Sequence, residues 1–74
     1  MKRSELTALA DHVFGPALSL AYRRELVLEA LGGRTVDEAL AAGIGAREAW
    51  TALCEAMDVP ESSRWEIPAG ARRD

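Results

Sequence analysis

One histidine, His12, and one cysteine, Cys54, are the soft metal-ligand candidates in this sequence of 74 residues. Structural zinc takes about four ligands at recognisable spacing, so the two residues define no metal site. Nucleophilic catalysis needs a base and an orienting group beside a serine, threonine or cysteine, and a single histidine leaves little choice. GxSxG, Walker and dinucleotide-binding glycine patterns do not occur. The carboxylate pairs Asp37/Glu38 and Glu25/Glu29 have acid–base chemistry available to them in principle. Helix capping and a solvated helix face account for them better. Cys54, between Leu53 and Met57 in an apolar stripe, reads as a small buried hydrophobe. His12, beside Asp11 and Val13, reads as a surface or boundary residue. These readings point to a protein that is not an enzyme, with no catalytic set, cofactor or metal.

The remaining candidates are partner contacts: Arg23, Arg24, Arg34 and Trp65. The three arginines either form a small basic spot for an acidic peptide or are neutralised by Glu25, Glu29 and the carboxyl end of a helix dipole. Trp50 is expected to anchor the core. Trp65 either folds back over the last long helix or stands exposed as a contact, since tryptophan is enriched at interface hot spots.

Four short helices are expected to position these groups. Leu6, Leu9, Ala10, Val13 and Phe14 recur at helical spacing, predicting a helix over Ser4–Phe14 with Ser4 as its N-cap. Gly15-Pro16 stops it and starts a second, over Pro16–Leu31, whose wide apolar surface marks it as the central helix. Gly32 and Gly33 end that helix. Thr35-Val36-Asp37-Glu38 has the form of a capping box, opening a third helix over Val36–Ala42. Gly43 closes it. A fourth helix begins at Gly45 or Ala46, carries Ala46, Ala49, Trp50, Leu53, Cys54 and Met57 on one face, and ends near Asp58 before Pro60. Pro60–Trp65 has room for one further turn. Residues 68–74 are expected to be a disordered tail on a single helical domain of residues 1–67.

The fold class is therefore all-α, a compact bundle with a helix-turn-helix-like hairpin at Gly43 and Gly45. Apolar residues make up 49% of the chain but aromatics only 5%, so the core must be thin and closely packed. No apolar run approaches the ~20 residues of a membrane span, and Glu5 and Asp11 interrupt what a signal peptide would keep apolar. These features predict a cytoplasmic protein. The formal net charge of −3 gives no general attraction to phosphate. Between Thr35 and Asp58 one base, Arg47, faces five acids, Asp37, Glu38, Glu48, Glu55 and Asp58, which disfavours DNA recognition by the hairpin. A protein partner is the better expectation; the oligomeric state is not readable.

The chain from Ser4 to Trp65 resembles a family of short actinobacterial proteins catalogued as a domain of unknown function. The resemblance rests on the HxFG-like turn at His12–Gly15, GGRT at Gly32–Thr35, EAL at Glu38–Leu40, and Trp50 and Cys54 four residues apart leading to VPE. Members are often encoded beside recombinase A and its regulator. The resemblance implies a bacterial cytoplasmic protein in a DNA-repair context and implies no biochemical activity.

Overall fold

The computed structural model describes residues 1–65 as five α-helices and one 3-10 turn. The first helix, α1, spans Arg3–Phe14 and buries Leu6, Leu9 and Ala10. It starts earlier than expected, and Ser4 is not its cap. The Lys2 amide donates to Glu5 Oε1 at 2.7 Å, so the carboxylate reaching back closes the first turn and leaves Ser4 inside the helix. Gly15 breaks the helix at φ +86, and Pro16 opens α2 with the Gly15 carbonyl accepting the Ser19 amide at 2.8 Å.

Helix α2 spans Pro16–Glu25, so the expected helix to Leu31 is cut in two. Leu26 and Leu28 have extended backbones, and a 3-10 turn follows over Glu29–Leu31. The reason lies in the arrangement of the apolar residues. Ser19 is the buried residue of α2, and Leu28 lies nine residues later, roughly 180° round a helix at ~100° per residue. A continuous helix cannot bury both. Breaking it lets Leu28 and Leu31 enter the core, while Val27 is left 60% exposed. The loop then closes on itself. The Leu28 amide donates to the Arg34 carbonyl and the Gly33 amide to the Leu28 carbonyl, both at 3.0 Å, with Gly32 and Gly33 at φ +71 and +78.

The capping box opens α3, Val36–Ala41, as expected. Thr35 Oγ1 accepts from the Glu38 amide at 3.1 Å, and Glu38 Oε1 accepts from the Thr35 amide at 2.9 Å. A short connection leads to α4, Ala46–Ala56, so the hairpin forms. Both helices end in the same way. After α3 the Ile44 amide donates to the Ala39 carbonyl and the Gly43 amide to Leu40; after α4 the Val59 amide donates to Cys54 and the Asp58 amide to Glu55. The left-handed residue is Gly43 in the first case and Asp58, at φ +59, in the second. The chain then turns at Pro60 into α5, Glu61–Arg64, which supplies the extra turn.

Helix α4, not α2, is the centre. It buries Ala46, Ala49, Trp50, Ala52, Leu53 and Cys54 and packs against α1, α3 and the 3-10 turn. Phe14 meets Trp50 and Tyr22 edge-on, with ring centroids 6.1 and 5.2 Å apart. Among the described residues no helix is long and apolar enough to cross a membrane. The expected tail, 68–74, lies outside the described residues.

Candidate partner-binding surface

Trp50 is fully buried, as its anchor role requires, and its indole N–H needs a partner. Nε1 donates to the Arg64 carbonyl at 3.0 Å, tying α5 to α4. The Arg64 guanidinium turns back, donating from Nε to the Val59 carbonyl at 2.9 Å and lying 3.9 Å from Glu55 Oε2. No side chain of α5 is itself buried, so these polar contacts hold the segment in place. They also set the position of Trp65, which follows Arg64. Its ring lies under the Arg47 guanidinium, 4.9 Å from carbon Cζ to the centroid, and Trp65 remains 37% exposed.

Arg47 belongs to the outer face of α4. Arg47, Glu48, Thr51 and Glu55 line a shallow groove of about 560 Å3, with Ala30 and Ala52 beside them. The buried face of the same helix explains why these four face outward. Ala46, Ala49, Trp50 and Leu53 recur at i, i+3, i+4 and i+7, which turns Arg47, Glu48, Thr51 and Glu55 away from the core. Glu48 has no ion partner among the described residues, and Glu55 has only the long contact to Arg64.

The arginines singled out from the sequence are placed separately from this groove. Arg23 Nε donates to Ser19 Oγ at 3.2 Å, which satisfies the buried hydroxyl of α2. Arg34 donates to the Leu31 carbonyl at 3.1 Å, covering the carboxyl end of the 3-10 turn. Arg24 is exposed. None of the three forms an ion pair with a described residue.

The chemistry-bearing side chains do not assemble. Cys54 is fully buried, and burial pushes its thiol up from 9.0 to about 11; Arg64 lowers it slightly and Glu55 raises it. At neutral pH it is a protonated, inaccessible thiol. His12 is exposed, at the edge of a second cleft of about 440 Å3 that Asp58 and Ser63 also line, and no hydrogen bond joins these three. No group of three or more histidine, cysteine or acidic residues suited to a metal occurs among the described residues. In the sequence Arg47, Glu48 and Glu55 stand out only as charges. Their signal was the polar stripe at positions 47, 51 and 55, opposite the Trp50 face. Arg64, whose role depends on a backbone carbonyl, left no signal of its own.

A family model described as a protein of unknown function, DUF3046, matches residues 1–62. The chain belongs to this family. The DUF3046 span covers α1 to α4, the α4 groove and the three arginines, and ends two residues before Arg64. No curated protein and no solved structure matches the chain.

Proposed function

We propose that this member of the DUF3046 family is a non-enzymatic protein–protein interaction module of the cytoplasm. The observation that carries the reading is Trp65, held on Arg47 and more than a third exposed beside the α4 groove. A tryptophan fixed in this way offers a large rigid contact at little cost in side-chain entropy. The buried, protonated Cys54 and the isolated His12 support a role without catalysis. Arg23, Arg24 and Arg34 are a second candidate contact for an acidic segment.

The rival is a helix-turn-helix-like DNA-binding or DNA-repair-associated regulator, favoured by the hairpin of α3 and α4. Charge weighs against it. In the position of a recognition helix, α4 presents outward one base, Arg47, already stacked on Trp65, with Glu48 and Glu55. Affinity purification from the native cell at two salt concentrations separates the readings. The module reading expects a specific protein that is lost with Trp65→Ala or with Arg23→Glu/Arg24→Glu. Recovery of that protein unchanged with both variants overturns the proposed surfaces, and a salt-sensitive shift of duplex DNA favours the rival.

A further inference from the structure

We infer that the outer groove of α4 takes an extended peptide segment carrying two basic side chains about 10 Å apart. The inference deepens the interaction-module reading and rests on it.

Three features of the groove lead there. The first is the sign of its charge. Arg47, the one base on this face, lies over the Trp65 ring, not on a carboxylate, so its charge faces an aromatic surface. Glu48 is left without an ion partner among the described residues, and the Glu55 side chain is 67% exposed with a single contact at 3.9 Å. What an approaching chain meets is two accessible carboxylates beside one base held on an aromatic ring, so that Arg47, Glu48 and Glu55 give the lining a net negative charge. The second feature is their spacing. Glu48 and Glu55 are seven residues apart on one helix, which separates them by about 10 Å along its axis at ~1.5 Å per residue. In a segment extended as a polyproline II helix, with three residues per turn at ~3.1 Å each, residues i and i+3 lie on one face about 9 Å apart, close to the same distance. The third feature is the surface between and beside them. Thr51 supplies a hydroxyl, and Ala52 and Ala30 supply a floor without bulk, so small apolar residues fit between the two basic ones.

Charge also selects among classes of partner. Phosphate-bearing surfaces, whether nucleic acid or anionic lipid, are repelled by these carboxylates, whereas a lysine- or arginine-bearing peptide is attracted. The spacing makes the preference specific. Two adjacent basic residues reach only one carboxylate well, while two with a pair of small residues between them reach both.

The test uses the full-length protein and blocked synthetic peptides, followed by amide resonances in solution. A peptide containing Lys-Ala-Ala-Lys is expected to shift the resonances of Arg47, Glu48, Thr51 and Glu55. Lys-Lys-Ala-Ala should bind several-fold more weakly, and Gln-Ala-Ala-Gln and Glu-Ala-Ala-Glu not measurably. The Glu48→Gln/Glu55→Gln protein should lose at least tenfold in affinity for the first peptide. The peptide series on the unaltered protein carries the test if that variant fails to fold. Shifts centred elsewhere, equal binding of the glutamine peptide, or preference for duplex DNA or anionic vesicles overturn the inference. The two levels fail separately. A native partner that is lost with Trp65→Ala but retained with Glu48→Gln/Glu55→Gln leaves the module reading standing and removes the groove; absence of any specific protein partner removes the module reading itself.

Discussion

Helices α2 and α4 have nearly the same length, ten and eleven residues, yet α4 buries six of its residues and α2 buries one, a serine. Apolar content does not explain the contrast, because α2 carries Leu18, Leu20, Ala21 and Tyr22. Spacing does. Leu18 and Leu20 are two residues apart and so project about 200° from each other, one on either side of the buried Ser19 line, and remain 51% and 46% exposed. Ala46, Ala49, Trp50 and Leu53 fall on a single stripe, and all reach the core. In a chain this short there is one interior, and the helix with the coherent stripe occupies it.

The strongest way to break the contrast is to remove the anchor of α4. Trp50→Ala is expected to cost about 3–5 kcal/mol, the usual range for a fully buried aromatic. That is comparable to the whole stability of a domain this size, roughly 4–11 kcal/mol. Circular dichroism through a urea titration should therefore show a protein largely unfolded in buffer. A cooperative transition within 1 kcal/mol of the unaltered chain would mean that Trp50 is not the anchor.

The next effect concerns the thiol in the same stripe. Burial raises the Cys54 pKa from 9.0 to about 11, so the folded state holds its proton more tightly than the unfolded state does. Its contribution is fully present below pH 9 and is lost as pH rises towards and through 11, by about 2–3 kcal/mol in total at ~1.4 kcal/mol per unit. Comparing unfolding of the unaltered protein and Cys54→Ala between pH 8 and 11 isolates this term from the other alkaline groups. The alanine variant should lose less stability over that range, and parallel curves would contradict the buried thiol.

The smallest effect sharpens the other side of the comparison. Leu18→Gln and Leu20→Gln, together, are expected to change stability by no more than about 0.5 kcal/mol each, because the side chains border solvent and glutamine is a good helix former. Thermal unfolding measures it. A loss above 2 kcal/mol for the pair would show that α2 packs more deeply than its exposure indicates.

Much of the fold was legible in local chemistry. The capping box at Thr35–Glu38, the stop at Gly43, the burial of Trp50 and Cys54, and the extra turn after Pro60 all follow from short stretches of sequence. The misreadings have physical causes. Ser4 matched a cap preference, but the carboxylate of Glu5 accepts the Lys2 amide and starts the helix two residues earlier, leaving Ser4 inside it. The stretch Pro16–Leu31 matched helix, and only the need to bury both Ser19 and Leu28 broke it. Of the candidate site, the residue types were legible and their grouping was not. Arg23 and Arg34 resemble a basic cluster in the sequence but are each engaged within their own segment.

Sequence by itself determined an all-α chain, the starts and stops of α3 and α4, its acidic balance and the identity of its aromatic anchor, because capping, glycine turns and helical periodicity act over a few residues. Tertiary structure alone decided which helix became the centre, where the second helix broke, and that Arg64 would fasten Trp50 and leave Trp65 on Arg47 beside an acidic groove. Those outcomes depend on competition for one small interior and on a backbone carbonyl meeting an indole across 14 positions of chain, neither of which a local pattern records.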